Sequence, residues 1–145
     1  MKAKRLNNLC EQIVFIDGMW GTGKSIVAPI LGSFKRVEKQ SIDLNFEHFC
    51  VLSELGGFDK SSVKFKMQLM ADNSLFNSMI SREVNLRPSD STGIFNNPHP
   101  WHYLKRLFKA GNDKVTSEIS QKKPILQIMS HGILQVSKPL FEAFD

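Results

Sequence analysis

Ile13-Val14-Phe15-Ile16-Asp17-Gly18-Met19-Trp20-Gly21-Thr22-Gly23-Lys24-Ser25 is the stretch on which the fold turns. Its apolar first part predicts a β-strand, and Gly18 to Ser25 fits the pattern G-x-x-x-x-G-K-[ST] without a gap. A loop of this kind curls its backbone N–H groups around phosphate- or sulfate-like oxygens at the start of a helix. Gly18, Gly21 and Gly23 let the backbone approach that closely. Lys24 is placed to reach terminal phosphates, and the Ser25 hydroxyl to face a Mg²⁺ where one is used. With Trp20 and Thr22 between the glycines, these residues form the candidate anion-binding set. The helix expected over residues 24–34 contains Pro29, which predicts a kink or a helix of little more than a turn and a half.

Outward from this stretch, the residues before Glu11 read as a flexible start and Glu11 to Asp17 as the first strand. Val37 to Gln40 reads as a short extended piece. Leu44 to Leu55 carries helical apolar spacing ended by Gly56-Gly57. A second middle helix is expected from Ser61 or Ser62 to Ile80, with Val63, Met67, Leu69, Met70, Leu75, Phe76 and Met79 facing the core. Arg82 to Pro100 is polar and proline-containing, a long loop of the kind that forms a substrate-side segment or lid. Helices follow over Trp101 to Ala110 and Asp113 to Lys122, then a second clear strand over Pro124 to Met129. His131 and Gly132 come next, and a last helix is expected over Ile133 to Phe144 with Pro139 near its middle. Strands alternating with helices predict an α/β protein. More specifically, they predict a P-loop NTPase-like three-layer fold, with a parallel sheet and a helix-rich insertion. Residues 1–145 read as a single domain. Two strands are few for such a sheet, and the last helix stops where another parallel strand would follow, so the layout predicts the N-terminal part of a longer, C-terminally truncated domain.

The chain has 145 residues and a formal net charge of +5, which favours an anionic partner such as a nucleotide. Its basic residues lie in short scattered groups, among them Lys2-Ala3-Lys4-Arg5, Lys35-Arg36 and Lys122-Lys123. No aromatic-interleaved basic stripe or nucleic-acid module accompanies them, which argues against nucleic acid. Cys10 and Cys50 stand alone, so neither a zinc site nor a disulfide framework is expected. No apolar run approaches the length of a membrane span or a signal-peptide core, and a soluble, cytoplasmic protein is the expectation.

In nucleotide hydrolases a later strand commonly ends in an acidic metal ligand. Here Ile125 to Met129 runs instead into Ser130-His131, and the only acid ending an apolar run is Asp17, ahead of the glycine loop. Ligands of open α/β sheets bind beyond the C-terminal strand ends, so the glycine loop and His131 are expected to face one crevice. An imidazole there can take a proton from an attacking hydroxyl, and a structural, hydrogen-bonded histidine is the alternative. Other candidates are weaker. His99 and His102 flank Pro100-Trp101 without an acid or thiol partner, and loop-to-helix entry explains them better than a metal. His48 reads as partly buried among apolar neighbours, while Arg82, Glu83 and Arg87 beside the long loop suggest surface ion pairing or an anion contact.

Strand, glycine loop, helix-rich middle, and a strand entering Ser130-His131-Gly132-Ile133-Leu134 before Lys138-Pro139-Leu140-Phe141 together resemble the N-terminal half of sulfotransferases that use 3′-phosphoadenosine 5′-phosphosulfate. The resemblance implies that Gly21 to Ser25 bind the donor's 5′-phosphosulfate and that His131 is the catalytic base, with Lys24 stabilising the leaving phosphate and no metal required. Cytosolic members carry a lysine where this chain has Gly21, a threonine where it has Lys24, and a further lysine where it has Met129. The acceptor, a hydroxyl or an amine, is left open. The competing readings are a kinase or nucleoside triphosphate hydrolase binding ATP or GTP with Mg²⁺, for which Gly23-Lys24-Ser25 is the closer local match, and an inactive fragment or binding module.

Overall fold

The computed structural model describes residues 7–144, so the basic cluster at residues 2–5 and most of the expected flexible start lie outside the described residues. Its frame is a parallel sheet of three short strands, β1 (Gln12–Ile16), β2 (Ser41–Ile42) and β3 (Ile125–Met129), in the order β1-β3-β2. β3 lies in the middle. Gln12 pairs with Ile125 and Ile16 with Met129, so β1 and β3 end level, and the Ser130 N–H donates to the Ile16 carbonyl at 3.0 Å. The turns that leave these two strands therefore start side by side.

Alternation along the strands divides the sheet into two faces. Leu126 and Ile128 of β3, with Ile13 and Phe15 of β1, face one core; Ile16 and Met129 face another. Among the described residues six α-helices accompany the strands: α1 (Lys24–Gly32), α2 (Asn45–Glu54), α3 (Lys60–Met79), α4 (Pro100–Arg106), α5 (Asp113–Lys122) and α6 (Lys138–Phe144). The large core joins residues of α2, α3, α5 and α6, among them Phe46, Met67, Leu75, Met79 and Ile119, all buried. The smaller core is covered by α1 through Ala28 and Leu31. Helices on both faces of a parallel sheet make this an α/β protein.

Local chemistry explains most boundaries. Asp59 caps α3 by accepting the Ser62 N–H, and Asn112 caps α5 by accepting the Lys114 N–H. Gly56, at φ 71°, closes α2 in the left-handed region. Buried Asp72 of α3 accepts the N–H groups of Leu9 and Cys10 at 3.0 and 2.8 Å. The chain just before β1 is thus tied to α3 and not free, contrary to the flexible start expected there.

Four other expectations are corrected. Pro29 lies inside α1 without ending it, and the helix runs nine residues. The carbonyl that a proline leaves without a partner is that of Ser25 four residues back, and Ser25 is exposed, so water can serve it. The extended piece near Val37 makes only an isolated bridge to Ile125, and the third strand comes later, at Ser41–Ile42. The last helix breaks into a 3₁₀ turn at Leu134–Val136 and α6, where Pro139 sits in the first turn, a position that needs no N–H donor. The helix at Trp101 starts at Pro100 and stops at Arg106, short of Ala110.

The long loop after α3 is ordered by its own side chains. Ile94 N–H donates to the Asn85 carbonyl at 2.8 Å, Asn85 Nδ2 to Thr92 Oγ1 at 2.8 Å, and Asp90 Oδ1 accepts from Thr92. α4 then docks onto the segment before β2. Arg106 forms a forked pair with Glu38, at 2.6 and 3.0 Å, and the Tyr103 hydroxyl accepts the Lys39 N–H at 2.7 Å. Among the described residues no helix is long and apolar enough to cross a membrane.

Candidate functional site

Every residue of the glycine loop leaves β1 at the end of the sheet where β3 also ends. Gly18, Gly21 and Gly23 have φ of 144°, 79° and 82°, values that side-chain-bearing residues seldom adopt. At Gly18 a Cβ would also stand 2.9 Å from Thr22 Oγ1. Thr22 Oγ1 donates to the Met19 carbonyl at 2.8 Å, closing the loop across its own base.

Helical hydrogen bonding begins at the Gly23 carbonyl, which accepts from Ile26 at 2.9 Å. Among the described residues, the N–H groups of Gly21, Gly23, Lys24 and Ser25 make no hydrogen bond. These are the donors that a helix N-terminus directs at an anion. Lys24 is only 8% exposed, and its Nζ donates to the carbonyls of Gly18 and Met19. An ammonium has three donors, so one N–H of Lys24 remains for an anionic oxygen once both carbonyls are served. The Ser25 side chain is exposed at the loop mouth.

His131 meets this loop directly. Its ring stacks on Trp20, with centroids 4.3 Å apart and planes 24° from parallel. Its backbone N–H donates to Glu47 Oε1 at 2.7 Å, and Nδ1 lies 3.5 Å from the same oxygen, buried and without the alignment of a hydrogen bond. Glu47 stands in the first turn of α2, where a carboxylate is favoured by the helix dipole. It therefore holds the backbone of His131 and places a carboxylate beside the ring. Trp20 is 81% exposed despite the stacking, so it covers His131 from the solvent side and not as part of the core.

Asp17 joins the two turns. Its carboxylate accepts Ser130 Oγ at 2.8 Å, the Ile133 N–H at 3.2 Å and the Leu134 N–H at 2.9 Å. Burial pushes its pKa up, but these hydrogen bonds outweigh it and hold the carboxyl below its ordinary value. Neither Asp17 nor Glu47 stands out as a site residue in the sequence. Asp17 does end the first strand just ahead of the loop, and that position was its only signal; Glu47 has none, since 84 residues separate it from His131.

The remaining candidates disperse. His99 precedes α4 at its N-cap position and His102 lies on the exposed side of that helix. His48 is exposed, correcting the expected partial burial, because α2 turns Phe46 and Cys50 inward and residue 48 points away from both. Arg82 and Glu83 do not pair with each other; each bonds the Asn77 side chain, at 3.0 and 2.7 Å. Arg87 is exposed. Cys10 and Cys50 are free and buried, and burial pushes the thiols up to about 12 and about 11, which leaves them protonated at neutral pH. Among the described residues no cluster of three or more His, Cys, Asp or Glu side chains could hold a metal.

No protein-family model, curated protein or solved structure matches the chain.

Proposed function

We propose that this protein is a P-loop transferase of the sulfotransferase type, with the glycine loop binding the phosphosulfate of 3′-phosphoadenosine 5′-phosphosulfate. The observation that carries the reading is the contact between Trp20 of the loop and His131, whose backbone N–H is held by Glu47 at the same end of the sheet. An imidazole stacked on the glycine loop, with a carboxylate 3.5 Å from Nδ1, suits a base beside an anion cradle.

In this scheme the N–H groups of Gly21, Gly23, Lys24 and Ser25 hold donor oxygens, and the free N–H of Lys24 meets the bridging region where charge develops. His131 accepts the proton of an acceptor hydroxyl or amine. The acceptor atom forms a bond to sulfur as the bond from sulfur to the phosphate oxygen breaks, and the electron pair leaves with the phosphate. Glu47 stabilises the imidazolium that results, as a carboxylate beside Nδ1 does in other acid–base pairs. Trp20 shields the imidazole from bulk water.

The exposed Ser25 hydroxyl favours a second reading, a kinase or hydrolase in which Ser25 meets a Mg²⁺ carried by ATP or GTP. Calorimetric titration with adenosine 3′,5′-bisphosphate and, separately, with ATP and Mg²⁺ divides the two. Binding of the bisphosphate without metal is expected, lost in Lys24→Ala. His131→Ala is expected to keep that affinity within a few fold while removing turnover by about 10²–10⁴. Mg²⁺-dependent ATP binding with no affinity for the bisphosphate overturns the proposal in favour of the second reading. Binding of neither nucleotide leaves a module of another kind.

A further inference from the structure

A cavity of about 850 Å³ opens at the end of the sheet opposite the glycine loop, where α1 finishes and β3 begins. One side is the turn after α1, with Phe34, Lys35 and Arg36; another is the entry and first turn of α4, with His99, Trp101 and His102. No residue of the glycine loop lines it. Its size falls within the roughly 300–1,000 Å³ of pockets that hold small organic ligands.

These sides are fixed by contacts of the fold. Arg106 of α4 pairs with Glu38 at 2.6 and 3.0 Å, and the Tyr103 hydroxyl accepts the Lys39 N–H. Arg36, at φ 75°, holds the turn from the opposite direction: its Nε donates to the Lys123 carbonyl and its Nη2 to Gln12 Oε1, both at 2.8 Å. A side-chain-bearing residue kept in the left-handed region by such bonds is a strained backbone position of the kind that gathers at ligand sites.

The accessible lining is aromatic and basic. Phe34 is 58% and Trp101 72% exposed, and among the described residues neither ring contacts another ring. Pro98 and Pro100 add C–H surface beside them. Four cations, Lys35, Arg36, Arg106 and Lys122, line the cavity against one acid, Glu38, which Arg106 already engages. Lys122 bonds Glu118, which also takes Lys109. Lys35 has no acid partner among the described residues, and the partners of Arg36 are a carbonyl and an amide, both neutral. Burial and the neighbouring Arg106 push the His102 pKa down, so at neutral pH this imidazole adds a neutral ring and not a fifth cation. Open ring faces beside unneutralised cations favour a planar aromatic group that carries negative charge.

We propose that this cavity binds a small bicyclic aromatic carboxylate, its rings against Trp101 and Phe34 and its carboxylate on Lys35 and Arg36. The site stands independently of what the glycine loop binds.

Ligand-observed NMR titration on the whole chain tests it, with 1-naphthoate as the probe. Two comparisons dissect it: 1-naphthalenemethanol lacks the charge, and cyclohexanecarboxylate lacks the aromatic rings. Saturable binding of 1-naphthoate is expected, with each comparison weaker by about threefold or more. Trp101→Ala should weaken the probe about fivefold or more, and Lys35→Glu about threefold or more at low salt. Both positions are exposed, so thermal melts of these variants should match the parent's. Phe141→Ser, at an exposed aromatic on α6, and Lys24→Ala, in the glycine loop, should keep the parent's affinity for 1-naphthoate. The proposal is overturned if 1-naphthoate does not saturate, if either comparison binds as tightly, or if folded Trp101→Ala or Lys35→Glu binds like the parent. Loss of binding in Lys24→Ala overturns it too, by placing the anion in the glycine loop, and an equal loss in Phe141→Ser would mean non-specific adsorption to exposed rings.

Discussion

The two faces of the sheet are built in opposite ways. On one, α2, α3, α5 and α6 press large side chains such as Phe46, Met67, Leu75 and Met79 against Leu126 and Ile128. On the other, α1 turns Lys24, Ala28 and Gly32 inward, lying close to the strands, and leaves Ile26, Val27 and Ile30 exposed. Gln127 stands between that helix and the sheet and donates to the Ala28 carbonyl at 3.0 Å. Apolar burial contributes about 1.5–3 kcal/mol per large side chain, so the thick face supplies most of the stability. The thin face carries the helix that follows the glycine loop, and the loop's N–H groups at residues 21, 23, 24 and 25 make no hydrogen bond among the described residues. Stability and the proposed ligand chemistry are thus assigned to different faces.

Substitutions across the sheet test this division. Ile128→Ala, at a side chain 0% exposed on the thick face, should lose about 2–5 kcal/mol by chemical denaturation. A loss below 1 kcal/mol would mean that the thick face is not the main source of stability.

Asp17 ranks next, since it links the turns of both strands. Asp17→Ala should cost on the order of 1–2 kcal/mol and alter the Trp20 fluorescence by releasing the turn that holds His131. Its folded pKa is depressed, so its contribution is complete above the ordinary value of 3.8 and fades as pH falls below it. A pH titration of stability should therefore show a drop in acid that Asp17→Asn reduces. An unchanged acid limb in that variant would place the titration elsewhere.

Gln127→Met should change stability by less than about 1 kcal/mol, because the amide makes one hydrogen bond while its Oε1, buried, makes none. A larger loss would show that Gln127 anchors α1. The smallest effect is expected at Ile30, 56% exposed on α1, where Ile30→Gln should stay within about 0.5 kcal/mol in the same denaturation measurement.

Much of this was legible residue by residue. β1, the glycine loop and the start of α1 follow from local pattern, since strand spacing, three glycines and a lysine act within a dozen residues. The boundaries of α3 and α5 follow from Asp59 and Asn112, whose caps are local as well. β2 was hidden because only Ser41 and Ile42 pair, and two residues carry no periodicity. Pro29 misled because its effect depends on whether the Ser25 carbonyl can reach water, which is a matter of exposure. The break before α6 depends likewise on where the turn after β3 is held by Asp17.

By itself, then, the sequence determined an α/β chain with a glycine-rich loop between a strand and a helix, because those features arise from interactions among near neighbours. Only the tertiary structure decided that Trp20 lies on His131 and that Glu47 accepts the His131 backbone N–H. These pairings join residues far apart in the chain, and the packing of the helices against the sheet, not any local preference, brings them together.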